Sequence, residues 1–336
     1  MMQTDPLLVV SELTKVYRGK TPTTAVDRLS FSLGRGEVLG LLGPNGAGKT
    51  TTIQMLLSAL EPTSGRIEYF GKELKSARDE ILGRVGFASA YSRLPARLTV
   101  AENLDVFGRL YGLSSRERKA QTQELLTRFG VWDLRRRTTE SLSSGQVTRV
   151  MLAKAFLARP SVALLDEPTA SLDPDIAALV RSFVRDQRDQ QRVSVLFTSH
   201  NMEEVSQLCD RVIFLDKGRI AACGTPAELA SSVASARVRF GGVSALEQLV
   251  TYARARGLVT HIADGMIDVE VNEEEISELL AGIAGAGVRY REISIHKPTL
   301  EDYFLKVASM SSGRQDGKTA PVSTRPEGRD QGKEAP

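Results

Sequence analysis

The chain has 336 residues, 41% of them hydrophobic, with 44 basic and 41 acidic residues and a formal net charge of +3. That length exceeds one average domain and predicts a main domain with an appendage, while so balanced a charge excludes a nucleic-acid-binding stripe, so no nucleic-acid partner is expected. Two cysteines, Cys209 and Cys223, exclude a disulfide framework or a paired metal-ligand spacing.

No apolar run reaches the roughly 18 residues of a membrane span. The polar start Met1-Met2-Gln3-Thr4-Asp5 is not a signal peptide. A soluble chain in a reducing compartment is expected, with any membrane-spanning part on another polypeptide.

Leu8-Val9-Val10 opens a strand, and Leu29, Phe31 and Leu33 alternate with Ser30 and Ser32 as in a half-buried one, before a turn at Gly34 to Gly36. Val38 to Leu42 reads as a buried parallel strand. Then comes Gly43-Pro44-Asn45-Gly46-Ala47-Gly48-Lys49-Thr50, followed by Thr51 and a helix predicted over Lys49 to Leu60. Strand, glycine-rich loop and helix together make a P-loop: backbone N–H groups cradle phosphate oxygens, Lys49 reaches the outer phosphates and Thr50 holds magnesium. The positive end of the helix acts on the same anion.

A strand is predicted over Ile81 to Phe87, then a helical insert with helical periodicity over Glu102 to Tyr111, Ser115 to Phe129 and Val131 to Leu134. Short aliphatic strands return at Val162 to Leu165, Val193 to Phe197 and Val212 to Leu215, each without polar alternation and so buried on both faces of a parallel sheet. The first ends in Asp166-Glu167-Pro168. Asp166 stands where P-loop NTPases hold magnesium, and Glu167 where a carboxylate can orient or deprotonate a water aimed at the γ-phosphorus.

Leu142-Ser143-Ser144-Gly145-Gln146 resembles the LSGGQ signature of ATP-binding cassette (ABC) ATPases, with Ser144 in place of the first glycine. Small residues there allow close approach to a phosphate, and the following helix aims its N-terminus at it. The resemblance covers about residues 7 to 230 and implies a P-loop α/β core with a helical subdomain, ATP and Mg2+, and a head-to-tail dimer with a second copy or a paralogous ATPase. Ser143, Ser144, Gly145 and Gln146 would grip the nucleotide of the mate. Ser171-Leu172-Asp173-Pro174 resembles the D-loop, so Asp173 would cross the dimer seam. His200, in Ser199-His200, resembles the switch histidine, and Tyr17 the aromatic that stacks on adenine. His261 and His296 have no ligand-like spacing and are taken as structural.

One position departs from the family. The glutamine of its Q-loop should fall at Ala90, within Ala88-Ser89-Ala90-Tyr91-Ser92, so either water replaces it or Ser89 or Ser92 reaches in. Slower or differently coupled hydrolysis is expected.

Beyond residue 232 the pattern reads strand (Ala236 to Phe240), helix (Ser244 to Arg256), a hairpin (Val259 to Ile262 and Ile267 to Val271, turning at Asp264-Gly265), helix (Glu273 to Ala284) and strand (Val288 to Ile295). That βαββαβ order predicts a small ferredoxin-like α+β domain. Ser294 to Phe304 resembles the end of the C-terminal domain on ATPases of drug, antibiotic or lipid exporters. The expected division is a nucleotide-binding domain over 1–232 with a helical subdomain at about 91–150, an accessory domain over 233–308 and a disordered tail over 309–336. The implied function is an ATPase subunit of an exporter, at the cytoplasmic face of the membrane under a separate transmembrane permease. A non-transport ABC ATPase and a slow ATP-gated clamp are the competing readings.

Overall fold

The computed structural model describes residues 6–19, 21–90, 92–232, 236–263 and 265–304. Two long strands, β1 (Leu8–Tyr17) and β2 (Thr23–Leu33), pair antiparallel. They precede β3 (Val38–Leu42), α1 (Lys49–Leu56), β4 (Ser64–Tyr69) and β5 (Lys72–Glu73). The chain continues through α2 (Arg78–Leu82), β6 (Val85–Ser89), α3 (Val100–Leu110), α4 (Ser115–Arg128), α5 (Ser144–Phe156) and β7 (Val162–Asp166). There follow α6 (Pro174–Gln191), β8 (Ser194–Thr198), α7 (Met202–Leu208), β9 (Arg211–Asp216), β10 (Arg219–Gly224) and α8 (Pro226–Ser231). The last segment holds β11 (Ala236–Gly241), α9 (Leu246–Ala255), β12 (Thr260–Ala263), β13 (Met266–Val271), α10 (Ile276–Gly285) and β14 (Glu292–His296).

The centre is a six-stranded sheet in the order β10-β9-β3-β8-β7-β6, parallel except at β10. Its middle strands are buried at every position, so alternate side chains feed two cores. Val38, Leu42, Ala163, Leu165, Val195 and Phe197 pack with α5, α6 and the α3–α4 insert. Leu39, Leu41, Val162, Leu164 and Leu196 face the other way, against α1 and the antiparallel sheet β2-β1-β4-β5.

Glycine lets α5 approach the sheet: a Cβ on Gly86 would lie 2.1 Å from the Ala155 carbonyl oxygen. The insert helices are sharply started, since Thr99 with Glu102 and Ser114 with Glu117 form capping boxes at α3 and α4.

The sheet β12-β13-β11-β14 is antiparallel throughout and packs α9 and α10 on one face around Val238, Phe240, Ile267 and Val269. This strand order is that of a split βαβ arrangement. The chain then returns to the first core, where Leu300 is buried and Phe304 lies 5.4 Å from the Phe214 ring.

Three expectations need correction. The strand expected over Val288 to Ile295 begins only at Glu292, opposite Gly241. The run Ile81 to Phe87 is not one strand: Ile81 and Leu82 close α2, and β6 begins only at Val85. The helix after the glycine-rich loop ends at Leu56 rather than Leu60, and Ser58 takes a left-handed φ of 54°. The turn residue Asp264, the loop residue Tyr91 and the tail over 309–336 lie outside the described residues.

Candidate functional site

The loop between β3 and α1 is built on glycines that nothing else could replace. A Cβ on Gly43 (φ 146°) would meet the Leu215 carbonyl oxygen at 2.3 Å, and one on Gly48 (φ 104°) the Ala25 carbonyl oxygen at 2.5 Å. Gly46 (φ 80°) is open to solvent, so there the backbone angle alone demands glycine. The result is an exposed concave backbone over Pro44 to Gly46, leading directly into the N-terminus of α1. No acidic residue in the first turn of that helix neutralises its positive end.

Lys49 closes the loop on itself, its Nζ donating to the Gly43 carbonyl at 2.6 Å and the Pro44 carbonyl at 3.1 Å. Burial pulls its pKa below the ordinary lysine value, against the opposing pull of Glu167 and Asp166.

A cleft of about 410 Å³ is lined by Tyr17, Thr23, Ala25, the run Asn45 to Thr51, Asp166 and Glu167. Tyr17 is 42% exposed at the end of β1 and carries the Lys15 Nζ 5.6 Å above its ring.

The acidic wall comes from parallel strand ends in register, Ser89 beside Asp166 and Asp166 beside Thr198. Ligand sites of open α/β sheets lie at these carboxyl ends. Asp166 accepts from the Thr198 hydroxyl at 2.8 Å and the Ser89 hydroxyl at 3.3 Å. Glu167 has a left-handed φ of 52°, a strained angle for a side chain of this kind. It is held by its own N–H, which donates to Thr198 Oγ1 at 2.9 Å and to the Thr198 carbonyl at 3.2 Å. Its buried carboxylate lies 2.7 Å from Nδ1 of His200, whose own side chain is 74% exposed.

The structure therefore brings Tyr17, Asn45, Gly46, Ala47, Gly48, Lys49, Thr50, Thr51, Asp166 and Glu167 to one cleft, with Gly43 and Pro44 bonded to Lys49 and His200 bonded to Glu167. Ser143 to Gln146 and Asp173 are not among the residues lining it. Ser143 is the N-cap of α5 in a capping box with Gln146, and a Cβ on Gly145 would lie 3.2 Å from the Ser171 carbonyl oxygen. Asp173 is the N-cap of α6, with Pro174 in its first turn and no side-chain cap bond.

Ala90 presents its backbone N–H to the Asp166 carbonyl at 3.2 Å. Of the two serines expected near it, Ser89 is the one bonded to Asp166.

Two residues escaped the sequence reading. Thr198 fixes both Asp166, the last residue of β7, and Glu167 just after it, a role visible only through strand register. Glu204, buried in α7, accepts from Thr169 Oγ1 at 2.6 Å, Ser199 Oγ at 3.2 Å and Arg181 at 2.8 Å, so it ties the turn after Glu167 to the turn before His200.

The donor set suits a divalent ion of the hard class. Thr50 and Asp166 offer oxygen in the same cleft, and among the described residues no group of three or more His, Cys, Asp or Glu could hold a metal alone. Magnesium held through one or two protein oxygens and substrate phosphates fits that arrangement.

A family model described as ABC transporter matches residues 26–170. Over 312 residues the chain is 34% identical to the daunorubicin resistance ATP-binding protein DrrA3 of Streptomyces coeruleorubidus, covering 90% of this chain and 95% of that protein. It is 30% identical over 308 residues to the linearmycin resistance ATP-binding protein LnrL of Bacillus subtilis, covering 90% and 98% respectively. Among solved structures, an ATP-binding subunit of an ABC transporter superposes with a TM-score of 0.63 at 28% identity, covering 67% of this chain and 92% of that one.

Proposed function

Because the chain belongs to the ABC transporter ATP-binding family and is an ATPase of that kind, we propose that it powers an exporter by closing a head-to-tail dimer around ATP. Lys49 and the backbone of Gly43 to Thr51 bind the phosphates, and Tyr17 stacks on the base. Thr50 and Asp166 hold magnesium, which supplies charge neutralisation on the phosphates when bound. Glu167 accepts the proton of the attacking water. His200 orients that carboxylate and reaches the γ-phosphate.

Ser143, Ser144, Gly145 and Gln146 act on the nucleotide of a second copy or a paralogous ATPase, and Asp173 lies at the seam. The proposed division is an ATPase domain over 1–232 with a helical subdomain at about 91–150 and an accessory domain over 233–308.

No described helix is long and apolar enough to cross a membrane. We assign the translocating path to a separate permease with this chain at its cytoplasmic face, a reading supported by relatives that are themselves named ATP-binding proteins. Drug-resistance and antibiotic-resistance relatives covering nearly their whole length support export. The observation that carries the proposal is the Glu167 carboxylate, buried in the phosphate cleft and bonded to His200. Single-turnover hydrolysis with Glu167→Gln tests it: hydrolysis should slow by roughly 10²-fold or more while ATP-driven dimers accumulate. Retained turnover would reject the assignment. Ala90 favours one second reading, a slow ATP-gated clamp, which predicts dimers opening by nucleotide release rather than cleavage.

A further inference from the structure

The edge strand β14, Glu292-Ile293-Ser294-Ile295-His296, is exposed at all five positions, and among the described residues only β11 pairs with it. Natural sheets protect such edges with lysine, proline, bulges or inward charges, because a free row of N–H and C=O groups templates another strand. Here lysine and proline come only after the strand, as Lys297-Pro298, and within it the ionisable residues stand only at its two ends, Glu292 and His296. Ile293 and Ile295 lie opposite Phe240 and Val238, on the face that packs α9 and α10, yet remain 40% and 45% exposed. Glu292, Ser294 and His296 share the other face.

We propose that β14 pairs antiparallel with β14 of a second copy of this chain, about a two-fold axis through Ser294. The pentapeptide is complementary to its own reverse. In that register Ser294 faces Ser294 of the mate, Ile293 faces Ile295, and acidic Glu292 faces His296, so apolar meets apolar and the ionisable groups are of opposite kind. A slip of one residue would put isoleucine opposite serine and mix the two faces. Lys297, which would face Arg291 of the mate, is already paired with Glu273. The other edge strand of this sheet, β12, has no such symmetry: self-pairing of Thr260-His261-Ile262-Ala263 sets His261 against Ile262.

The seam is independent of nucleotide; only its consequence rests on the proposed ATP-driven pairing. Two copies held at β14 would close and reopen around ATP without separating, which makes each closure intramolecular. To remain a closed dimer, both contacts must share one two-fold axis.

The test is cysteine cross-linking of the full chain without nucleotide, in a Cys223→Ser background that leaves only the buried Cys209. Facing strand residues have Cα atoms about 4.5–5.5 Å apart, within disulfide reach. Ser294→Cys alone should cross-link. Glu292→Cys alone should not, because its copies would sit about 13 Å apart, nor should His296→Cys alone, whereas a mixture of those two should. Each variant must bind ATP and keep the wild-type circular dichroism and melting profile, which together establish that both the ATP-binding part and the β14 sheet have folded. Ile295→Lys should weaken the nucleotide-free dimer by roughly ten-fold. A monomeric Ser294→Cys, or Glu292→Cys cross-linking to itself, overturns the seam. Cross-linking of Ser294→Cys only with Glu167→Gln and ATP would assign the contact to the nucleotide-driven dimer instead, and cross-linking only after residues 305–336 are removed would give the edge to the chain's own tail.

Discussion

Thr198→Val isolates the one residue that positions both acids. The substitution is nearly isosteric at a fully buried position, so packing survives while two hydrogen bonds are lost, one donated to Asp166 at 2.8 Å and one accepted from Glu167 N–H at 2.9 Å. A bond to a charged group contributes about 1.5–3 kcal/mol and a neutral one about 1 kcal/mol. The Glu167 N–H keeps a longer contact to the Thr198 carbonyl at 3.2 Å, and the added methyl recovers about 0.8 kcal/mol. The net loss is therefore about 2–3 kcal/mol, a melting shift on the order of 5 °C.

Function should suffer more selectively. With the left-handed backbone at Glu167 released from its tether, its carboxylate leaves the reacting geometry, and kcat should fall by roughly ten- to a hundred-fold with KM little changed. Thr198→Ser keeps the hydroxyl and should stay near wild type. Steady-state ATPase assays beside thermal melts decide the matter. Full hydrolysis by Thr198→Val, or equal loss in Thr198→Ser, would refute the positioning role.

Glu167→Gln should lower single-turnover hydrolysis by roughly 10²- to 10⁴-fold while sparing ATP binding, measured by rapid quench and nucleotide titration. Ala90→Gln should change the ATPase rate or its coupling to transport; unchanged values for both would show that the absent glutamine costs nothing. Lys154 is buried between the rings of Phe87 and Phe107 at 5.5 and 5.3 Å, and burial lowers its pKa from 10.5 to about 8. The unfolded chain therefore holds this proton where the folded one has released it, so stability should rise as pH climbs from about 8 to 10.5, by at most about 3 kcal/mol. Lys154→Met should abolish that slope and stabilise the protein at neutral pH by about 1–3 kcal/mol after allowing for the lost ring contacts, as read by urea melts across pH. Gly86→Ala should destabilise by about 3 kcal/mol or more, because its Cβ would collide with the Ala155 carbonyl and Pro160.

What was legible in the sequence was what local chemistry determines. The aliphatic runs of β3, β7, β8 and β9 were readable because burial on both faces removes polar alternation, and the glycine-rich loop because its backbone angles allow few substitutes. The strands missed, β4, β5 and β10, are polar or half-exposed: Ser64-Gly65-Arg66 opens β4, and β10 alternates between exposed and half-buried positions. Ile81 and Leu82 read as strand because five residues of helix carry too little periodicity to show. Within the site, the order of loop, Asp166, Glu167 and His200 was visible. Thr198 and Glu204 were not, since the bonds that tie them to Asp166, Glu167 and Thr169 span 31 to 35 residues and form only through tertiary contacts.

The lysine folded back over the P-loop has a consequence for how its variants are judged. Lys49 is a strut before it is a ligand: its ammonium spans the two carbonyls that open the loop, and those bonds must be exchanged for phosphate oxygens when nucleotide arrives. A neutral residue there would take away the attraction and also let the empty nest slacken. Weak binding by such a variant would then mix a missing charge with a misshapen host, and arginine, which keeps the charge but spreads it over a planar fork too broad for the ammonium's place between the two carbonyls, is the substitution that would separate the two.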